Sequence, residues 1–301
     1  MDATNHITTT AQAPGPAPRA SRVRSGRRIA DRILIVASTL ATLLGIIVLG
    51  SILLMLIVEG VKGFTPALFT APTPGPGSEG GGIANAILGS LIMTFIGIVI
   101  ATPIGLMAGT FLAEYGKTSK IADVIRFLND VLLSAPSILI GLFVYTLMVR
   151  PMGTYSGWAG AVALAIIAVP VIVRTTEDML RLVPSPMREA GAALGAPRSL
   201  VIRAITWRAA SAGIVTGIIL ALARIAGETA PLLFTALNNN SWFNANLLGG
   251  VPNLPVMIYQ FALSPYPNWQ SLAWAGALLI TVTILALSVT ARFVIKEQRQ
   301  R

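Results

Sequence analysis

The stretch "ILIVASTLATLLGIIVLGSILLMLIV", residues 33–58, carries no charged side chain over a length that can cross a bilayer. The hydrocarbon core of a bilayer is about 30 Å thick, and a helix needs about 20 apolar residues to span it. The run is too long for the core of a secretory signal peptide and has no small-residue cleavage pattern after it. We therefore interpret it as a retained first transmembrane helix.

The rest of the chain has the same character, with 54% hydrophobic and 11% charged residues, against about 25% charged residues in soluble proteins. We predict an all-α integral membrane protein with six transmembrane helices. Proline at the edge of or inside a span is tolerated in membrane bundles, so we expect Pro103, Pro136, Pro170 and Pro231 to kink helices without breaking them. The five further spans are predicted at residues 84–113, 131–149, 157–174, 209–236 and 271–295.

Basic residues predict the orientation. Nearly all of the 22 Lys and Arg residues lie in the two tails or near the connections that follow the second and fourth spans. The exceptions are Lys62 and Arg150, which lie in other connections, and Arg224, which lies within the fifth span. This asymmetry predicts that both termini are cytoplasmic. Residues 1–32 are rich in Pro, Ala, Thr and Arg with little to bury, so we expect a disordered basic cytoplasmic tail. Residues 296–301 are expected to form a second short cytoplasmic tail.

Several classes of function find no support in the sequence. The net charge of +10 is spread between apolar runs, so no nucleic-acid-binding patch is predicted. Cys is absent and the single histidine, His6, has no second ligand near it, so no metal or other cofactor is expected. The sequence "GKT" at 116–118 lacks the earlier glycine and the strand of a phosphate-binding loop. We therefore expect no ATP hydrolysis by this chain and no enzymatic activity.

The segment "VPSPMREAGAALGAPRSLVIRAITWRAA", residues 183–210, predicts a short helix outside the bilayer. Ser185 is suited to cap its beginning and Pro186 to occupy its first helical position. Gly195 is placed to end it. Its body consists of small residues, which allow another protein to approach closely. Capping alone is equally compatible with an ordinary connecting helix in which Glu189 is a partner of the helix dipole.

"EAGAALG", residues 189–195, followed after nine residues by Ile205, resembles the EAA loop of ABC importer permeases. Glu189, Ala190 and Gly195 match the pattern, whereas its second Ala is Gly191 here and its closing Leu-Pro is missing. The resemblance implies a bundle like that of type I ABC importer permeases. It also implies that residues 185–197 form a coupling helix, with Glu189, Ala190 and Gly195 at the docked ATPase.

Five further segments narrow the resemblance: "SAPSILIGLFVY" (134–145), "VPVIVRTTEDMLRLVP" (169–184), "ARIAGETAPLLFTAL" (223–237), "NLPVMIYQFALSP" (253–265) and "WQSLAWAGALLI" (269–280). In this order along residues 80–295, they are similar to the PstA family of phosphate permeases. This resemblance implies a permease domain over that range, inorganic phosphate as substrate, and half of a translocation pathway in this chain. It also implies a PstC-like second permease, a PstB-like ATPase dimer and a PstS-like extracytoplasmic phosphate-binding protein.

Arg224 and Glu228 lie four residues apart in a predicted span, where a charge costs about 2.5 to 3.5 kcal/mol. On a continuous helix they would reach each other and share one face with a stripe of small residues. We expect Arg224 to attract phosphate in the pathway and Glu228 to compete with the anion, although a structural ion pair remains an alternative. Arg174, near the inner end of span four, is a second candidate for the pathway. The small residues are Ala209, Gly213, Gly217 and Ala221.

Two other functions remain open. A secondary anion transporter could use Arg224 and Glu228 as an ion relay, although the chain shows no inverted repeat. An ABC permease for another oxyanion is also compatible with the sequence. An intramembrane hydrolase is disfavoured, because the spans hold no Asp pair, His or Cys.

The outer connection, residues 237–270, has no charged residue and several aromatic rings, and we expect an interfacial anchor, a gate or a partner surface there.

Overall fold

A computed structural model describes residues 20–116, 118–239 and 246–298. Within these ranges the chain is helical and contains no β-strand. Two π-helical turns, Tyr145–Val149 and Ile202–Thr206, interrupt the α-helices. The α-helices are α1 (Ala20–Lys62), α2 (Ala67–Thr70), α3 (Ala84–Glu114), α4 (Lys120–Ser134), α5 (Ser137–Val144), α6 (Arg150–Met152), α7 (Gly157–Arg181), α8 (Ser185–Ala193), α9 (Arg198–Val201), α10 (Trp207–Ala226), α11 (Ala230–Thr235), α12 (Leu254–Ala262) and α13 (Pro267–Gln298).

Five helical segments in the described residues are long and apolar enough to cross a membrane. A sixth crossing is possible if the bent pair Lys120–Ser134 and Ser137–Met152 counts as one span. The all-α membrane fold predicted from composition is therefore confirmed, and the chain is a multi-pass membrane protein. The five segments are Ala30–Lys62, Ala84–Glu114, Gly157–Arg181, Arg198–Ala226 and Pro267–Phe293.

The third predicted span, residues 131–149, is not one helix. Residues up to Ser134 belong to α4, and the chain turns by 104° before the next helix begins at Ser137. Ala135 is extended with φ −67° and ψ 133°, which is the conformation that a following proline favours. Pro136 therefore breaks the chain where the sequence predicted a kink.

The fifth predicted span, residues 209–236, is also divided. Helix α10 ends at Ala226, with Gly227 after its last turn, and α11 begins at Ala230. Pro231 lies in the first turn of α11, where its missing N–H costs no helical hydrogen bond. The predicted kink at Pro231 is wrong. Pro103 and Pro170, by contrast, lie inside the continuous helices α3 and α7 as predicted.

The terminal segments differ in extent from the predicted tails. Helix α1 begins at Ala20, so its first residues overlap the stretch predicted to be a disordered tail, while residues 1–19 lie outside the described part. Residues up to Leu54 form one compact unit, in which every described side chain from 30 onward is exposed. A second unit begins at Met55. Helix α13 continues to Gln298, and residues 299–301 lie outside the description.

The centre of the second unit is the contact between α3 and α7. Glycines of α3 allow this close approach, because a Cβ atom on Gly105 would lie 2.6 Å from Cγ2 of Ile172. A Cβ atom on Gly109 would lie 2.6 Å from Cβ of Thr176 and 2.8 Å from the Val173 carbonyl oxygen. Small residues at helix contacts are how membrane helices approach each other closely. The two helices therefore form the frame on which the other elements pack.

The connection at residues 237–270 contains a helix that the sequence analysis did not predict. Helix α12 lies within it and packs against α13, and the buried ring of Phe261 stacks on Trp269 with ring centroids 4.2 Å apart. Tyr259 is exposed. Trp242 and Phe243, two of the aromatic rings singled out in the sequence, lie outside the described residues.

Candidate functional site

Helix α8 ends in a well-defined turn. Gly195 has φ +75°, a left-handed conformation that glycine adopts without a steric penalty. Its N–H donates to the carbonyl of Ala192 at 2.9 Å, and the N–H of Ala196 donates to the carbonyl of Gly191 at 3.3 Å. These two bonds form a Schellman motif. The helix end predicted at Gly195 is confirmed.

The beginning of α8 corrects one detail of the prediction. The position before the helix is Pro184, with φ −61° and ψ 139°, and no side chain caps the first turn. Ser185 is already the first helical residue and does not accept the predicted capping bond. Pro186 is therefore the second helical residue and not the first, although it still lies in the first turn. The prolines preset the backbone at this end, so the helix starts here without a serine cap.

One side of α8 faces the protein and the rest is exposed. Gly191 is its buried residue, and a Cβ atom there would lie 2.6 Å from Cδ1 of Ile205. Glu189 and Ala190 are exposed, and Leu194 just after the helix has 89% of its surface exposed. A Cβ atom on Gly195 would meet nothing within 4 Å. The surface formed by Glu189, Ala190, Leu194 and Gly195, called here the α8 surface, is therefore open to another molecule.

Arg188 fixes the buried side of α8 to the ends of two membrane helices. Its Nε and Nη2 atoms donate to Oε1 of Glu114 at 3.1 and 2.9 Å. Its Nη1 donates to the Val183 carbonyl at 2.6 Å, and its Nη2 also donates to the Leu180 carbonyl at 2.7 Å. The Glu114 side chain is only 7% exposed. One guanidinium therefore joins α8, the last residue of α3 and the last turn of α7.

A second arginine, which follows α8 in the chain, contacts the same residue. Arg198, at the start of α9, donates to the main-chain carbonyl of Glu114 and lies over the ring of Tyr115 at 4.1 Å. A cavity of about 510 Å³ lies beside these groups and also reaches Arg181 and Glu189. Arg188 of α8 and Arg198 of α9 thus converge on one residue at the end of α3.

Glu177 is the one charged residue that is buried in the described part of the chain, with 2% of its surface exposed. Its Oε1 accepts from Nε of Arg126 at 2.9 Å and lies 2.5 Å from Nη2 of Arg181. Arg126 also donates to the carbonyls of Leu112 and Gly116 at the end of α3. The buried carboxylate therefore ties α4 and α7 together, and Arg126 extends the link to α3.

Arg174 lies on the exposed side of α7, near Asp178. Its Nε is 3.3 Å from Oδ2 of Asp178, one helical turn further along. Both residues are exposed in this chain. The sequence singled out Arg174 as a candidate for the pathway but did not predict its pairing with Asp178.

Arg224 and Glu228 do not form the predicted ion pair. Because α10 ends at Ala226, the two residues do not share one helix, and the helical wheel used to place them together does not extend to Glu228. Arg224 is exposed and Glu228 partly exposed, and their side chains make no hydrogen bond or ion pair with each other. Within the described residues the Arg224 guanidinium has no ion-pair partner.

The small-residue stripe predicted on the fifth span packs closely over part of its length. A Cβ atom on Gly213 would lie 2.2 Å from Sδ of Met179, and one on Gly217 would lie 2.3 Å from Oγ1 of Thr175. Ala221 is buried, but Ala209 is exposed. The stripe therefore joins α10 to α7 over its middle portion.

Four functional candidates near the ends of α3 and α7 were not predicted from the sequence: Glu114, Arg126, Glu177 and Arg188. A signal was available, since Glu114 and Glu177 are acidic residues at the ends of apolar runs. Their partners could not be identified, because Arg126 and Glu177 are 51 residues apart in the chain and Glu114 and Arg188 are 74 apart.

Comparison with solved structures gives the architecture. The chain resembles a subunit in inward-facing structures of the MetNI methionine ABC transporter, with a TM-score of 0.57 and 21% sequence identity. The match covers 70% of this chain and 94% of that chain. A second match, with a TM-score of 0.52 and 18% identity, is to an amino acid ABC transporter. The fold is therefore that of an ABC importer permease of this type.

Comparison of sequences gives the family. The family profile described as "Binding-protein-dependent transport system inner membrane component" matches residues 101–300. The "Phosphate transport system permease protein PstA" of Yersinia pestis is 52% identical over 91% of this chain and 92% of that protein. The protein of the same name in Haemophilus influenzae is 50% identical over 91% of this chain and 96% of that protein. This chain belongs to the PstA family of phosphate transport system permease proteins.

Proposed function

We propose that this chain is the transmembrane permease subunit of an ATP-driven importer of inorganic phosphate and forms half of its translocation pathway. The observation that carries the proposal is the likeness to phosphate permeases over nine-tenths of the chain. The α8 surface and its firm attachment to α3 and α7 also support coupling to a separate ATPase. ATP hydrolysis then occurs on the partner chain, and this subunit moves in response.

The experiment that tests this function is uptake of labelled phosphate by the reconstituted complex. The complex is placed in liposomes with and without ATP, and separately with an imposed proton gradient and no ATP. We expect uptake that requires ATP and does not respond to the gradient. Uptake driven by the gradient alone would instead support the secondary transporter. Competition by sulfate, molybdate and arsenate tests the alternative of another oxyanion.

We assign the α8 surface to the docking of a PstB-like ATPase dimer. It presents an exposed Leu194, an exposed Glu189 and a glycine end with open space around it. These features favour close approach of a second protein, and a charged partner can contact Glu189. Residues 185–197 are thereby the proposed coupling segment, with Glu189, Ala190 and Gly195 at the contact.

We assign Arg174, Arg224 and Glu228 to the phosphate pathway. Arg224 is exposed in a membrane-crossing helix and lacks an ion-pair partner among the described residues, so an anion or a partner subunit can approach it. Arg174 lies on the exposed side of α7, paired with Asp178. Because an intramembrane charge is costly, such residues commonly mark ion or substrate pathways. We propose that Glu228, beyond the end of α10, limits how tightly phosphate is held near this region.

The remaining exposed apolar surface is assigned to a PstC-like second permease and to membrane lipid. A PstS-like phosphate-binding protein is assigned to the outer side, where the connection containing α12 carries exposed Tyr259 and Tyr266. The distribution of Lys and Arg supports cytoplasmic termini. Proteolysis of tagged termini in sealed inside-out and right-side-out vesicles measures this orientation directly.

A further inference from the structure

We propose that Arg188, acting on Glu114, transmits the movement of α8 into the membrane helices, so that it is a positioning residue for the coupling of ATP hydrolysis to transport. This inference rests on the proposed function, because it presumes that an ATPase moves α8. It adds to that function the specific contact through which the force passes. Docking and transmission are thereby assigned to different residues on opposite sides of one short helix.

The first step is the distribution of contacts around α8. The α8 surface is exposed, and the buried side of the helix holds Gly191, which has no side chain to form polar contacts with neighbouring helices. Arg188 lies on the same short helix and makes four hydrogen bonds to groups outside it, to Glu114, Val183 and Leu180. The main polar attachment of α8 to the membrane helices is therefore this one side chain.

The second step is what Arg188 holds. Glu114 is the last residue of α3, and Leu180 belongs to the last turn of α7. These are the two helices that pack most closely on each other in this chain, through Gly105 and Gly109. Closely packed elements are hardly compressible and transmit displacement to each other. A movement of α8 that displaces Arg188 therefore displaces the ends of both α3 and α7.

The third step is the geometry of the group itself. A guanidinium is planar and carries five N–H donors in a fixed arrangement, so it can bond a carboxylate and two carbonyls together. A lysine ammonium has a single donor atom and does not span the same set of acceptors. The Glu114 side chain is only 7% exposed, so water has limited access to the carboxylate that accepts these bonds. The requirement is therefore for arginine and not for positive charge alone.

The test measures how many phosphate ions enter per ATP hydrolysed by the reconstituted complex. For Arg188→Gln we expect the ATPase to co-purify and hydrolyse ATP, while the uptake per ATP falls by about tenfold, within the usual range of coupling between two sites. For Arg188→Lys we expect a partial loss. The matched control is Arg203→Gln, an exposed arginine of the same segment, for which we expect the wild-type ratio.

A second measurement separates transmission from folding. The chain has no cysteine, so Glu114→Cys together with Arg188→Cys gives a unique pair that a short bifunctional thiol reagent can join. We expect the untreated double variant to be uncoupled and the cross-linked one to regain much of its uptake per ATP. If Arg188→Gln does not assemble, the uptake per ATP of Glu114→Gln is compared with that of the wild type, because glutamine keeps an acceptor oxygen and a similar size. We expect a reduced ratio for this variant as well.

The outcomes are distinct. Arg188→Gln complexes that assemble and keep the wild-type ratio would overturn the inference and leave the proposed function intact. The same conclusion would follow if cross-linking the cysteine pair gave no recovery in an assembled complex. A wild-type complex that moves no phosphate in the presence of ATP would instead overturn the proposed function.

Discussion

The ends of α3 and α7 beside α8 and the end of α10 both carry charged residues, but the two regions hold them differently. Beside α8, Glu177 is buried between two arginines and Glu114 is bound by Arg188, an arrangement called here the charged network. At the end of α10, Arg224 is exposed and has no ion-pair partner among the described residues. Satisfied buried charges fix elements to each other, whereas an exposed, unpaired charge in a membrane helix remains available to a ligand or a partner.

We propose that this difference separates two tasks within one subunit. The charged network connects α8 to the membrane helices and is suited to transmit movement. The open charge at Arg224 is suited to meet the transported anion. Substitutions in the first region should alter coupling or stability, and substitutions in the second should alter transport while the complex stays assembled.

The largest effect is expected at Arg224. Arg224→Gln removes the positive charge that is proposed to attract phosphate, so we expect uptake to be abolished while the complex assembles and hydrolyses ATP. The measurement is labelled-phosphate uptake alongside co-purification of the subunits. Arg208→Gln, an exposed arginine near the other end of α10, is the control and should transport normally. A well-assembled Arg224→Gln complex with normal uptake would reduce Arg224 to a structural role.

The second prediction concerns the contribution of the charged network to stability. Glu177→Gln removes the buried carboxylate that Arg126 and Arg181 share, while Arg126 keeps Asp123 as a partner and Arg181 is half exposed. We expect a loss of about 2 kcal/mol in the free energy of unfolding, because hydrogen bonds to a buried charged group are weakened. The measurement is the apparent melting temperature of the purified subunit in detergent. Asp178→Asn, the exposed neighbour on the same helix, is the control and should change the melting temperature little. Equal melting temperatures for the two variants would contradict the comparison.

The sequence predicted the elements that depend on local chemistry. Long apolar runs gave the helical membrane fold, and Gly195 with the residues before it gave the end of α8. Proline was less informative, since Pro103 and Pro170 lie in continuous helices while Pro136 and Pro231 lie at breaks. Whether a proline kinks or breaks a membrane helix depends on the neighbours that satisfy the freed backbone groups, and those are set by packing.

The charged residues show the same limit. Arg224 and Glu228 were predicted to pair because four residues separate them, but the spacing has this meaning only in a continuous helix, and α10 ends between them. The pairs that do form, Arg126 with Glu177 and Arg188 with Glu114, join residues far apart in the chain. Their partners depend on how α3, α4, α7 and α8 pack, which one sequence does not reveal.

The third prediction concerns the α8 surface. Gly195→Ala and Gly195→Leu both place a side chain at φ +75°, which costs about 1 to 2 kcal/mol for a non-glycine residue. Only Leu adds bulk toward a docked ATPase, since the space around Gly195 is open in this chain. We expect less ATPase to co-purify with Gly195→Leu than with Gly195→Ala, and lower uptake. Normal retention of the ATPase and normal uptake by Gly195→Leu would exclude this docking site.

The smallest effect is expected at Arg174, which combines features of both regions. It is exposed like Arg224, but it is paired with Asp178 at 3.3 Å, and an exposed pair of this kind contributes little to stability. Arg174→Gln should therefore leave membrane insertion and melting temperature unchanged and slow phosphate uptake only severalfold, because one attractive charge near the inner end of the pathway is lost. Asp178→Asn removes the carboxylate that competes for Arg174, so we expect phosphate to be held more tightly. The two variants should therefore differ in the apparent KM for phosphate. If Arg174→Gln and Asp178→Asn both transport at the wild-type rate and KM, Arg174 is an interfacial arginine whose charge serves topology alone.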